Sequence, residues 1–336
     1  MIKHLVRFSC VLSLLGALGA RAGQSVSLLN VSYDSTREFY QEVNAAFAKE
    51  WKSKTGDDAV ISQSHGGSGK QARSVIDGLQ ADVVTLGVAT DIDALHTKAD
   101  LVPENWQQRL PSNSCPYSST VIFMVRHGNR AKVKDWEDLA RPGVSVIVPN
   151  PKTSAAARWI YLAAYGWALQ EHHRDAGEAR QFVEKLYRNV PVMDEGARGS
   201  VTTFAQRGIG DVLVCWESDA LVVVNGFGRG GFEIVYPSRS IRAEPPVALV
   251  DKNADQHGTR AVAEAYLKFL YTPDVQEMAV RHYFRPSLAE TARAHEKLFP
   301  PMPMFTVKEL FGTWGQAQKT HFDEGGLFDQ IAKSRR

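Results

Sequence analysis

Four short segments carry the small polar residues that could hold an anion. They are Tyr33-Asp34-Ser35, Gly66-Gly67-Ser68-Gly69, Thr153-Ser154-Ala155-Ala156 and Gly196-Ala197-Arg198-Gly199, and each precedes a helix-compatible stretch. The first turn of a helix leaves its N–H groups without intrahelical acceptors and carries partial positive charge, so it accepts anions readily. Small residues let a ligand approach that backbone closely. Several such turns pointing into one cleft would make a dehydrated oxyanion site without lysine or arginine. Glycine and serine are also ordinary capping and turn residues at strand-to-helix junctions, and spacing leaves both readings open.

Other chemistries find less support. Gly67-Ser68-Gly69-Lys70 resembles part of a nucleotide-phosphate loop, but that loop needs Gly where Ser64 stands and Ser or Thr where Gln71 stands. His172 and His173 adjoin, and neighbours on a helix point in different directions, which makes a weak metal pair. No HExxH, EF-hand loop or GxSxG elbow occurs. Cys115 has no identifiable partner base and Cys215 falls in an apolar run; two small buried thiols are the preferred reading over a bridge between them. Asp91 and Asp93 read most simply as solvated loop residues. No catalytic constellation emerges, so neither an enzyme, a metal nor a cofactor is expected.

The elements that must position the turns alternate. Leu28 to Val31, Ala59 to Ile61, Val83 to Val88, Thr120 to Val125, Val144 to Val148 and Val212 to Cys215 read as buried strands. Between them, Ser35-x-x-Glu38 reads as a capping box before Phe39, Val43, Phe47 and Trp51, and Ser154 as the cap of a helix through Trp159, Leu162, Ala163 and Trp167. Such alternation predicts an α/β protein with mostly parallel sheets. The last quarter turns helical: Thr272-Pro273 opens one helix, and Thr306-x-x-Glu309 is a second capping box. No repeat or long linker separates the parts, so the chain is expected to cross between lobes in short strands, near Pro116 to Val125 and Pro237 to Val250.

The N-terminus indicates export. Lys3 and Arg7 precede an apolar run from Phe8 to Leu18, and Ala20-Arg21-Ala22 supplies a cleavage pattern, so residues 1–22 read as a signal peptide with Gly23 first after cleavage. The run is too short to span a bilayer as a helix. The 336-residue chain is long enough for two lobes. Its 39 basic and 37 acidic residues become nearly balanced once Lys3, Arg7 and Arg21 are removed, which argues against nucleic acid or anionic lipid as the main partner. An anion would have to be held locally.

At the same turns the chain resembles the periplasmic sulfate-binding proteins of ABC importers. The similar segments are Leu28 to Asp34, Gln63 to Gln71, Asn150 to Ser154, Gly196 to Ser200, Gly208 to Val212 and Ala263 to Lys268. The resemblance runs from about Leu28 to Ile331. It implies a two-lobed, type II-like periplasmic-binding-protein fold, each lobe a mostly parallel sheet flanked by helices, with the ligand in the cleft. Residues 23–115 with about 245–300 would form lobe 1, about 116–244 lobe 2, and about 301–336 a C-terminal helical segment. It further implies sulfate held by neutral donors: the backbone N–H groups of Asp34, Ser68, Ala155, Ala156 and Ala197, the Ser154 hydroxyl and the Trp216 indole N–H. Arg198 would brace the loop. A monomer delivering sulfate to the membrane permease of an ABC importer is expected, without nucleic acid, and thiosulfate, molybdate or another tetrahedral dianion is the alternative cargo. The family pattern has Gly-Gly where this chain has Ala155-Ala156. Backbone donors survive that change, while two added methyls could narrow the cleft.

Overall fold

The computed structural model describes residues 24–334, so the expected signal peptide and its cleavage position lie outside the described residues. The chain builds two sheets. The first is centred on β1 (Ser25–Tyr33), which pairs in parallel with β2 (Asp58–Gly66) and β3 (Val83–Thr85). The second holds β4 (Tyr117–Arg126), β5 (Val146–Pro149), β6 (Met193–Asp194), β7 (Val212–Trp216), β8 (Phe232–Val235) and β9 (Ser240–Ala243). β10 (Val247–Leu249) returns to the first sheet, antiparallel to β3.

The second sheet is mixed rather than mostly parallel. β5 runs parallel to β6 and β7, whereas β4 is antiparallel to β7, β8 and β9. β4 enters from the first lobe and so runs against the strands of the local βαβ units. Both anticipated crossings are present: one leads into β4, and the other lies between β9 and β10. A third passes through β11 (Arg285–Pro286), which pairs with Ser118 and Tyr117, before β12 (Met304–Phe305) joins β9.

Apolar clusters cover both faces of each sheet. Against the first sheet, helix Arg37–Thr55 buries Phe39, Tyr40, Val43 and Phe47 beside Tyr266 and Phe269, while Val31, Val84, Ile92 and Leu95 fill the other face. Helix Ala155–Glu171 is buried all round from Ala155 to Ala168, as a central helix must be when its sequence lacks a polar face. The C-terminal segment closes over that helix with Phe305, Phe322, Phe328 and Ile331 and belongs to the second core.

Local signals were mixed. The Thr306–Glu309 capping box forms, and Pro273 opens its helix. The Ser35–Glu38 box does not. A short 3-10 turn, Asp34–Thr36, precedes helix Arg37–Thr55, and the Ser35 hydroxyl instead donates to Asp219 at 3.2 Å. Cys115 and Cys215 are buried free thiols, and burial raises the pKa of each.

One ion pair ties the third crossing to the second sheet. Arg285 donates from Nε and Nη2 to the two oxygens of Glu217 at 2.7 and 2.8 Å, and Glu217 is fully buried. Removing one partner leaves an uncompensated buried charge. Arg285→Met is expected to lower stability by about 3–5 kcal/mol in denaturant unfolding followed by circular dichroism. Arg285→Lys should recover only part of that loss, because a lysine cannot present two parallel donors.

Candidate anion site

Each of the four candidate turns follows a strand at its carboxyl end, where ligands bind in open α/β sheets. β1 ends at Tyr33 before Asp34, and β2 ends at Gly66 before helix Ser68–Ile76. β5 leads to the Ser154 cap of helix Ala155–Glu171, β6 to helix Ala197–Val201, and β7 ends on Trp216 itself. Turns of the two sheets meet. A Cβ on Gly67 would stand 2.7 Å from the Thr153 carbonyl oxygen and 3.2 Å from that of Glu195. A side chain on Gly196 would collide with the Asp34 carboxylate. Glycine at 67 lets one backbone approach the other, and glycine at 196 leaves room for the Asp34 carboxylate.

The expected donors come together in this contact region. Among the described residues, no acceptor takes the N–H of Ser68, Ala155, Ala156 or Ala197, as first-turn geometry requires. Those residues, Ser154 and Trp216 are all at most 4% exposed, so water does not satisfy these groups freely. Ser154 Oγ accepts from Ala157 N–H at 3.4 Å, which leaves its own proton to donate. The Trp216 indole N–H is buried with no partner among the described residues. Its ring neighbours those of Tyr33 and Trp159, with centroids 6.3 and 6.4 Å away. An orphaned buried donor costs about 1–3 kcal/mol, so this position suits a ligand that accepts.

The Ala155 methyl points at Gly87, where any side chain would collide with it. Asp34 is more complex than a plain backbone donor. Its Oδ2 accepts from Arg198 N–H at 3.3 Å, and its own N–H also leans on its carboxylate. Burial raises this carboxyl, and the two N–H groups partly offset the rise.

Several supporting residues were not legible as such. Asp91 is not a solvated loop residue: it lies on helix Ala89–Ala99, 6% exposed. Both its oxygens accept from Arg158 Nη2 at 2.7 Å, and Oδ2 also accepts from the Ser68 hydroxyl at 2.5 Å. Ser68 Oγ in turn accepts from Gly87 N–H at 3.0 Å, and Trp159 Nε1 donates to Gly87 O at 2.8 Å. The Ser68 hydroxyl is thus committed to support, leaving its N–H for a ligand. A lone arginine inside the apolar run from Ala155 to Ala168 was the signal that could have found this pair. Asp93 is half-buried and accepts from Trp106 Nε1 at 3.0 Å.

Exposed ion pairs flank the buried one. Arg198 reaches Glu38 at 2.6 Å, and Lys70 reaches Glu195 at 3.0 Å, each joining a residue near the first sheet to one near the second. His65 supports the β2 turn through Nδ1 on the Tyr33 carbonyl at 3.0 Å, and burial lowers its pKa. Arg198 therefore braces the turn through both its main chain and its side chain.

Asp219 is a carboxyl whose titration falls near neutrality. Burial, and then the charge of Asp34, push its carboxyl up to about 7, with Ser35 and Arg198 opposing and Glu38 adding to the rise. A raised folded pKa means that the folded protein holds the proton more tightly than the unfolded chain. The stability this contributes is complete below the ordinary aspartate pKa, falls as pH rises, and is gone above about 7. Asp219→Asn is expected to flatten the decline in melting temperature between about pH 4 and 7. Unchanged slopes in melts at matched ionic strength would refute this assignment.

Comparison with known proteins agrees with the geometry. The bacterial extracellular solute-binding protein family matches residues 28–285. The sulfate-binding protein of Escherichia coli is 56% identical over 310 residues, covering 92% of this chain and 94% of that one. The thiosulfate-binding protein of Pseudomonas aeruginosa is 52% identical over 315 residues, covering 94% and 95%. The solved sulfate-binding protein SubI of Mycobacterium tuberculosis superposes with a TM-score of 0.80 at 30% identity, over 89% of this chain and all of that one. This chain accordingly belongs to the two-lobed bacterial extracellular solute-binding protein family, alongside its sulfate- and thiosulfate-binding members.

Proposed function

We propose that this protein captures sulfate in the periplasm, after cleavage before Gly23, and delivers it as a monomer to the membrane permease of an ABC importer. The observation that carries the reading is the buried, unpartnered Trp216 N–H in the region where helix first turns from both sheets meet. Asp34, Ser68, Ala155, Ala156 and Ala197 supply backbone N–H groups, Ser154 a hydroxyl and Trp216 its indole. Lobe 1 is proposed as 23–115 with about 245–300 and lobe 2 as about 116–244; the return of β10 to the first sheet supports this division, while β11, at Arg285–Pro286, already pairs with β4 of the second sheet. The packing of Phe305 to Ile331 on the second core supports counting the C-terminal segment with lobe 2.

The role is binding rather than catalysis. Hydrogen bonds to a charged group contribute more than neutral ones, and a preorganised set of donors needs no formal counter-charge beside the anion. The nearest buried guanidinium, Arg158, is already engaged by Asp91. Sulfate accepts without donating, whereas phosphate near neutrality keeps a proton that would face donors. Thiosulfate is the second reading, favoured by the Pseudomonas aeruginosa relative.

Calorimetry with sulfate, thiosulfate, molybdate and phosphate tests the proposal, which expects sulfate to bind with one ion per chain and phosphate at least about tenfold more weakly. Trp216→Phe keeps an aromatic ring and removes the donor. It should weaken sulfate binding by about 1.5–3 kcal/mol, whereas Lys70→Ala, which removes an exposed ion pair, should cost no more than about 1 kcal/mol. Sulfate affinity unchanged in Trp216→Phe would remove this indole from the site.

A further inference from the structure

β10 is the edge strand of the first sheet, next to β3, and its three residues are at most 3% exposed. Its pairing with β3 fixes which way its backbone groups point. Leu86 N–H donates to Pro246 O and Val250 N–H donates to Asp82 O, so the hydrogen-bonded positions are 246, 248 and 250. The N–H and C=O groups of Val247 and Leu249 therefore point away from β3, where the sheet has no further strand. Among the described residues, none of these four groups has a hydrogen-bond partner. Buried backbone groups are almost always paired, so a buried edge without partners marks a place where something else supplies them.

Val247, Ala248 and Leu249 form one wall of a cleft of about 270 Å³. Its other apolar residues are Trp106 and Leu110, around the 3-10 turn Trp106–Gln108, and Leu267 of helix Arg260–Phe269. Two charges at the cleft are already engaged: Arg109 meets Asp251 at 2.8 Å and lies 3.7 Å from Glu264. Lys268 also lines the cleft, is exposed, and has no acidic partner among the described residues. A dry cavity of about 150 Å³ holds a benzene, so this cleft suits a ligand of about a dozen non-hydrogen atoms. A protein strand added to the edge would need a longer and more open row of backbone groups. Here two recessed residues offer them.

We propose that this cleft is a second ligand site, built to take a small N-acylated amino acid with an apolar side chain. The ligand N–H would donate to Val247 O, and its carboxylate would accept from Leu249 N–H and from the Lys268 ammonium. Its side chain would lie against Trp106, Leu110 and Leu267. A residue paired in parallel with Ala248 makes the same two backbone bonds. The site shares no residue with the anion site and stands whatever that site binds.

The probe is N-acetyl-leucine, titrated into the full mature protein in sulfate buffer and followed by backbone-amide NMR. Sulfate competes for the anion site, so the probe's carboxylate is not read there. Saturable shifts of the Val247 and Leu249 amides are expected. Isocaproate keeps the side chain and carboxylate without the amide, and should bind at least about tenfold more weakly. Lys268→Ala changes an exposed side chain. It should weaken N-acetyl-leucine about fivefold and leave N-acetyl-leucinamide, which has no carboxylate, unchanged. Absence of saturable shifts at Val247 and Leu249 overturns the proposal and leaves water as the partner of this edge. Equal binding of isocaproate, or undiminished binding of N-acetyl-leucine to Lys268→Ala, overturns it as well.

Discussion

On the proposed reading, everything in this structure depends on bringing the first turns of several helices within reach of one point. A dianion taken out of water must recover its hydration from the protein, and backbone N–H groups can do so only if the main chain itself comes close. The contact at Gly67 is where that requirement is felt, because a Cβ there would meet the backbone of Thr153 and Glu195, in turns that belong to the other sheet. The parallel strands β1, β2, β5 and β6 serve the same end by aiming their carboxyl ends, and the helices after them, into one cleft. The Trp216 indole N–H, buried and without a partner among the described residues, stands at the end of β7.

Charge is present but kept in pairs. Arg158 and Asp91 are both buried, one on each side of the lobe contact, and Arg158 Nη2 donates to both oxygens of Asp91, so the positive charge is paired within the protein. Asp91 also fixes the Ser68 hydroxyl, so the pair positions a donor while contributing little net field. The proposed site of neutral donors would select by hydrogen-bonding capacity rather than by charge alone. Such a site distinguishes a fully ionised tetrahedral anion from one that retains a proton.

The sheets and their helices were legible because buried strands and amphipathic helices leave periodic marks. Each of the strands read from the sequence is present, with ends moved by a few residues, and Ser154 caps its helix as read. What the pattern could not carry was long-range. The antiparallel run of β4 depends on a lobe crossing, and β11 is a two-residue pairing that no local signal marks. Asp91 looked solvated because its partner lies 67 positions away. Ser35 looked like a cap because the competing acceptor, Asp219, is 184 positions distant. In each case a local preference lost to a tertiary partner. The turns themselves were visible, whereas their meeting was not.

The alanines at 155 and 156 show how a site of backbone donors tolerates change. Ala155 and Ala156 occupy the first two helical positions, where the N–H groups are free whatever the side chain, and alanine is favourable in a helix. The Ala155 methyl meets Gly87, whose carbonyl is held by Trp159 and whose N–H donates to Ser68. The methyl is therefore absorbed by a residue that has no side chain to displace. Gly87 thereby links the two lobes sterically as well as through hydrogen bonds. Chemistry carried by the main chain constrains side chains through volume, and here the constraint falls on the glycine opposite rather than on the donor residue itself.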